Sequence, residues 1–166
     1  MTGLEKEAEC LFCKFISHKV PTRIFWEDAN HLAFLSIYPN TPGVSVVVPK
    51  KHLSSYAFEQ SDKDLCELII ASKKVSKILD ESLNGVGRSG LILEGFGINH
   101  LHAKLFPLHG TEAAAANWQP IKSSINTFMP SYVGYISSHD CNLSSSEDID
   151  EVYKTLLTHP DAKKET

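Results

Sequence analysis

The sequence predicts an α+β domain in which a sheet of about five strands carries one long helix and a C-terminal helical extension. Three short runs rich in β-branched and aromatic residues precede the first long helical pattern, and two more such runs follow it. The chain has 166 residues, of which 42% are hydrophobic and 22% are charged. These values are typical of one soluble globular domain with a single core.

The strand predictions rest on short runs bounded by turn residues. The first two runs are separated only by Ala29-Asn30, which suits an antiparallel hairpin. The third run is β-branched and ends at Pro49, and the last two are joined by a turn around Gly95-Phe96-Gly97. The five predicted strands are residues 23–28, 31–37, 44–49, 90–94 and 100–106.

Two amphipathic patterns predict helices. The first begins after Ser61, a serine N-cap followed by acidic residues, and ends before Asn84-Gly85, two residues that tolerate the left-handed conformation of a helix end. Its apolar stripe consists of Leu65, Leu68, Ile69, Val75 and Leu79. The second begins after Ser146, and its apolar stripe consists of Ile149, Val152, Tyr153, Leu156 and Leu157. We expect tails at residues 1–9 and 158–166, a domain over residues 10–110, and an extension packed on it over residues 111–157.

Composition and charge exclude several classes of partner. Sixteen basic and 20 acidic side chains give a net charge of −4, so the chain has no overall basic field for nucleic acid or an anionic membrane. No apolar run approaches the length of a membrane span, and residues 1–9 lack the apolar segment of a secretory signal. We therefore expect a cytoplasmic protein with reduced cysteines that binds neither nucleic acid nor membrane.

The densest chemistry lies in the segment from Asn99 to Pro107. Strand alternation places His100, His102 and Lys104 on one face, while the residues between them point to the other face. Such a polar row, backed by an apolar row, suits a surface strand that could meet a phosphate chain. Taken alone, a His-x-His pair on a strand is more often part of a solvated sheet face than of a catalytic centre.

Several separated motifs favour the functional interpretation of this segment over the solvated sheet face. They are Cys10-Leu-Phe-Cys13, Phe34-Leu-Ser-Ile-Tyr-Pro39, Pro42-Gly43, Val47-Val-Pro-Lys-Lys-His52 and His100-Leu-His-Ala-Lys-Leu-Phe-Pro107. In this order they resemble the histidine triad (HIT) family. The resemblance implies a HIT-like α+β fold with a five-stranded antiparallel sheet, a homodimer, and binding of purine nucleotides or their derivatives.

The resemblance also implies catalytic roles. The middle histidine of the family's motif attacks an α-phosphate, which makes His102 the expected nucleophile, with its second ring nitrogen held by a backbone carbonyl. Lys104 replaces the third histidine, and we expect it to stabilise phosphate charge. Ser36 replaces a family aspartate that holds ribose hydroxyls, so only a weaker, neutral contact is expected there.

The Cys10 and Cys13 pair has the spacing of a zinc knuckle, of a redox pair, or simply of two core thiols. Since some family members bind zinc through this pair and two histidines, the resemblance implies a structural Zn²⁺ site completed by His52 and His100. Cys66 and Cys141 have no expected role.

By resemblance, a purine would lie between apolar side chains and beside Ser36. These side chains are Phe12, Phe15, Val20, Phe34 and Ile37. Core packing is an equally good explanation for each of them alone. The leading hypothesis is a hydrolase or nucleotidyltransferase that forms a covalent nucleotidyl-His102. The alternatives are a non-catalytic nucleotide-binding or sensing module with a structural zinc site, and a zinc-stabilised scaffold.

Overall fold

The computed structural model describes residues 10–121 and 143–162. It contains five strands, β1 Ile24–Glu27, β2 His31–Leu35, β3 Ser45–Pro49, β4 Val86–Ile92 and β5 Ala103–His109. Its helices are α1 Leu11–Ile16, α2 Asp62–Ser82, α3 Glu112–Ala116 and α4 Ser146–Leu157, with a short 3₁₀ turn at Ala57–Glu59. The α+β prediction with a five-stranded sheet is confirmed. Among these described helices, none is both long and apolar enough to span a membrane.

The strands form one antiparallel sheet in the order β1-β2-β3-β5-β4. The predicted fifth strand began too early. His100 and His102 lie ahead of β5, because the amide of Leu101 donates to the carbonyl of Leu53 rather than to a neighbouring strand. The fourth strand also begins earlier than residue 90, since the chain enters β4 directly after the turn at Gly85, whose φ is +74°.

Helix α2 covers one face of the sheet. The Ser61 side chain accepts a hydrogen bond from the Asp64 amide, as expected of an N-cap. The buried positions are Leu68, Ala71, Ser72, Val75, Ile78 and Leu79. The predicted stripe was wrong at Ile69, which is 41% exposed because its position falls outside the arc that faces the sheet.

Helix α4 brings the C-terminal part of the chain against the first strand. Its N-cap is Ser145, one residue before the predicted cap, and the Ser145 hydroxyl accepts from the Asp148 amide. Arg23 Nε donates to Asp150 Oδ1 at 2.6 Å, and the Tyr153 hydroxyl donates to the carbonyl of Ile24. Residues 122–142, which include Cys141, lie outside the described residues, as do the terminal stretches 1–9 and 163–166.

The two sheet faces carry separate apolar clusters. The larger one lies under α2 and α4 and includes the residues that alternate with the histidine row, Leu101, Ala103 and Leu105. The smaller one lies under α1, on the opposite face, and joins Phe12 to Phe34 and Val46. The histidines therefore lie beside the smaller cluster, on the face that α1 only partly covers.

Candidate functional site

Four predicted metal ligands meet where α1 approaches the chain ahead of β5. The ligand atoms of Cys10, Cys13, His52 and His100 all lie within 4.8 Å of one another. Cys10 is the N-cap of α1 and Cys13 lies in its first turn. Because residues three apart lie on the same side of a helix, both thiols face the same point. His52 arrives from the segment after β3.

The spacing of these donors fits a tetrahedral ion. His100 Nδ1 lies 3.5 Å from both Cys10 Sγ and Cys13 Sγ, and His52 Nδ1 lies 3.3 Å from Cys13 Sγ. Bonds of about 2.3 Å to sulfur and about 2.0 Å to nitrogen place two such ligands about 3.5 Å apart around tetrahedral zinc. The four residues therefore form a Cys2His2 cluster of the right size for a metal ion.

His100 is fully buried and suited to act as a neutral ligand. Its Nε2–H donates to the carbonyl of Pro49 at 2.8 Å, which leaves Nδ1 facing the thiols. Burial lowers the pKa of His100 to about 4, and the hydrogen bond to Pro49 only partly opposes this effect. A backbone carbonyl that orients a metal-binding imidazole is a common feature of metal sites.

His102 is also buried, and its tautomer is set by the preceding histidine. Its Nδ1–H donates to the carbonyl of His100 at 2.7 Å, the kind of backbone acceptor that the sequence argument required. Burial lowers the pKa of His102; the bond to His100 opposes this shift, and the charge of Lys104 adds to it. The ring is consequently neutral near pH 7, with its lone pair on Nε2.

Lys104 forms an ion pair that sequence reasoning missed. Its Nζ lies 2.7 Å from Glu94 Oε1, and the two side chains are only 18% and 12% exposed. The signal was the strand register, because Lys104 pairs with Ile92 and Glu94 follows two residues later on the same side. The lysine charge is therefore already matched by a carboxylate next to His102.

A cavity of about 380 Å³ lies between His102 and Lys104 on one side and the smaller apolar cluster on the other. It is lined by all eight residues predicted to bind or react with a nucleotide, namely Phe12, Phe15, Val20, Phe34, Ser36, Ile37, His102 and Lys104. Its volume is in the usual range for small-molecule sites. Arg23 and Phe96 also line this cavity, although neither was predicted to be a site residue.

The apolar wall of the cavity is built from edge-on aromatic contacts. The Phe15 and Phe34 rings are 5.0 Å apart and nearly perpendicular, and the Phe12 ring lies 5.4 Å from the imidazole of His102. Ser36, by contrast, accepts a hydrogen bond from the Tyr38 amide through its hydroxyl. A planar apolar group in the cavity would therefore meet the aromatic rings and the imidazole of His102.

A second cavity, of about 510 Å³, lies between residues 35–44 and the start of α4. It is larger, but its described lining contains neither a histidine nor a cysteine. The chemistry of the chain therefore favours the cavity beside His102 as the functional one.

Comparison with known proteins agrees with this geometry. The HIT domain model matches residues 17–111. A HIT-like protein of Methanocaldococcus jannaschii is 32% identical over 118 residues, which cover 69% of this chain and 90% of that protein. An adenosine 5′-monophosphoramidase of Schizosaccharomyces pombe is 33% identical over 99 residues, covering 59% of this chain and 73% of the enzyme.

Solved structures show the same fold. The crystal structure of a zinc-bound histidine triad family protein from Mycobacterium smegmatis has a TM-score of 0.62 at 18% identity, covering 92% of this chain and 96% of that one. A HIT-like protein from Bartonella henselae has a TM-score of 0.61 at 21% identity, covering 90% and 95%. Since the family's domain model matches more than half of the sequence, the chain belongs to the HIT domain family.

Proposed function

We propose that this protein is a hydrolase or nucleotidyltransferase that acts on the α-phosphate of a purine nucleotide derivative, a phosphoramidate or a dinucleoside polyphosphate. The observation that carries the proposal is the cavity that is lined both by an aromatic wall and by His102, whose Nδ1 is held by a backbone carbonyl. A nearby relative is an adenosine 5′-monophosphoramidase, which is consistent with this reaction class.

In the proposed reaction the purine lies against Phe12, Phe15 and Phe34, and the α-phosphate reaches His102 Nε2. The imidazole lone pair forms a P–N bond as the bond between phosphorus and the leaving group breaks. The leaving group takes a proton from solvent or from Lys104, and Lys104 stabilises the phosphate charge. Water then attacks phosphorus, so that a P–O bond forms and the P–N bond to His102 breaks, which releases the nucleoside monophosphate and restores the neutral ring. The proton lost by the water goes to solvent, or to Lys104 where Lys104 protonated the leaving group. A transferase would use another acceptor at this step.

The Cys2His2 cluster is proposed to hold a structural Zn²⁺. Four protein ligands leave no open position, so the ion would fix α1 and the chain ahead of β5 rather than take part in the reaction. The support is the match between the donor spacing and tetrahedral zinc. The residues that would hold it are Cys10, Cys13, His52 and His100.

A homodimer in the cytoplasm completes the proposal. Strand β4 lies at the edge of the sheet, and Leu91 on it is an exposed apolar residue. An edge strand with apolar exposure suits pairing with a second copy of the chain. Light scattering of the purified protein should give twice the mass of one chain.

The decisive experiment incubates the pure protein with adenosine 5′-phosphoramidate and, separately, with diadenosine tetraphosphate. Mass spectrometry should detect AMP as product and, after rapid acid quenching, a nucleotidyl adduct on the peptide that contains His102. The His102→Ala variant should lose turnover and the adduct but still bind AMP. Binding of AMP by the wild-type protein without product or adduct would overturn the enzyme proposal.

That outcome would favour the second candidate, a non-catalytic nucleotide-binding or sensing module with the same zinc site. The observation that favours this candidate is the ion pair between Lys104 and Glu94. A lysine that is already paired is a poorer acid for the leaving group than a histidine would be.

A further inference from the structure

Phe96 is a large apolar residue that the proposed reaction leaves without a role. It lies on the connection between β4 and β5, and it is 69% exposed. It nevertheless lines the same cavity as His102 and Lys104. Phe96 thus stands at the opening of the cavity, outside the buried aromatic wall formed by Phe12 and Phe34.

The backbone around Phe96 is built to hold the ring in that place. Gly95 and Gly97 have φ values of +71° and +88°, a conformation that other residues adopt only with strain. A Cβ on Gly95 would lie 2.7 Å from the carbonyl oxygen of Ser55, and the Ser55 amide donates to the Asn99 side chain at 3.0 Å. The connection is therefore packed against the segment at residue 55 while the Phe96 ring projects outward.

In-line displacement decides which part of a substrate meets this ring. The attacking nitrogen and the leaving group lie on opposite sides of phosphorus, so a leaving group points away from the buried His102. Because the purine occupies the inner aromatic wall, the leaving group must extend toward the opening, where Phe96 lies. A planar ring on the leaving group could stack on Phe96 and cover apolar surface that is otherwise in water.

We propose that Phe96 selects the leaving group, favouring substrates whose leaving group carries a planar ring, such as a second nucleoside or an arylalkyl amine, over small groups such as ammonia. This inference rests on the proposed function, because it assumes nucleotidyl transfer to His102. It adds the class of group that the enzyme expels.

The test compares two phosphoramidates of AMP with the same P–N chemistry, one of 2-phenylethylamine and one of n-propylamine. The wild type should have the higher kcat/KM for the phenylethyl compound. Phe96→Ala should lower that value about tenfold, or ~1.4 kcal/mol, and change the propyl value less than twofold. Phe96→Tyr, which keeps the aromatic ring, should retain the preference that Phe96→Ala loses.

Phe58→Ala is the matched control, since Phe58 is similarly exposed, at 74%, and does not line the cavity. It should leave both kcat/KM values unchanged. An equal fall for both substrates in Phe96→Ala, or no fall, would overturn the inference while leaving the proposed function intact. If Phe96→Ala loses both the substrate preference and the dimer mass in light scattering, Phe96 belongs to the subunit interface, and the inference is overturned as well. Turnover of neither compound by the wild type would overturn this inference, whereas the proposed function fails only if adenosine 5′-phosphoramidate and diadenosine tetraphosphate also give no product and no adduct.

Discussion

Replacing Glu94 by glutamine tests the charge pair that stands where the family motif has its third histidine. The variant keeps the shape of the side chain but removes the carboxylate 2.7 Å from Lys104 Nζ. Exposed pairs contribute about 0–1 kcal/mol, whereas breaking a buried pair costs about 3–5 kcal/mol. With the side chains 12% and 18% exposed, we expect Glu94→Gln to lower the free energy of unfolding by about 2 kcal/mol. At roughly 2–4 °C per kcal/mol for this size, the melting temperature should fall by roughly 4–8 °C.

A double-mutant cycle with Lys104→Met isolates the interaction. Urea unfolding of the wild type, both single variants and the double variant gives the coupling energy directly. The double variant should lose less unfolding free energy than the two single variants lose together, because it leaves no unmatched charge behind. AMP should bind more tightly to Glu94→Gln and more weakly to Lys104→Met, since the cavity gains and loses a positive charge. Additive stabilities, or unchanged AMP affinity in both single variants, would refute the role given to this pair.

Three further predictions concern the metal, the core and acid stability. Cys13→Ser should lower bound zinc, measured by elemental analysis, from about one ion per chain to almost none, whereas Cys66→Ser on the exposed side of α2 should retain it; equal zinc in both would contradict the assigned ligands. Ile78→Ala should cost roughly 2–5 kcal/mol of unfolding free energy, and Ile69→Ala on the same helix less than about 0.5 kcal/mol, so similar urea midpoints would show that the helix face is wrong. Burial raises the pKa of Asp28, but hydrogen bonds from two backbone amides and the His31 ring outweigh this effect and lower the pKa below the ordinary 3.8. The ionised Asp28 therefore contributes its full stabilisation above pH 3.8, and this contribution is lost as the pH falls below that value. Asp28→Asn should make the free energy of unfolding less dependent on pH below 3.8, as measured by acid unfolding.

Local patterns in the sequence were sufficient for the number of strands and for the limits of α2. Period-two alternation also assigned Leu101 and Ala103 to the core side correctly. It could not locate the start of β5, because side chains alternate in any extended chain, whether or not its amides pair with a neighbouring strand. His100 and His102 are such residues, extended but outside the ladder.

Tertiary features were harder to predict. Helix α1 spans six residues, too short to be stable alone. It is held by Phe12 in the smaller apolar cluster and by the contacts of the Cys10 and Cys13 thiols with His100. Glu94 could be matched with Lys104 only after the register of β4 against β5 was known. The residues proposed to bind a nucleotide and a metal, by contrast, were selected from ordered motifs, and the structure brings them together in one cavity and one Cys2His2 cluster.

The contacts of the N-terminal segment have a consequence for folding during synthesis. Cys10 is 90 residues from His100 in sequence, and Arg23 is 127 residues from Asp150. At about 5–20 residues per second on the ribosome, Arg23 waits roughly 6–25 s for its partner to be made. Strands β1 to β3 can pair with one another early, since they are close in sequence. The two thiols meet His100 only once the chain ahead of β5 has emerged, whereas Phe12 can pack against Phe34 and Val46 as soon as β1 to β3 have formed. The smaller apolar cluster can therefore assemble before the Cys2His2 cluster does.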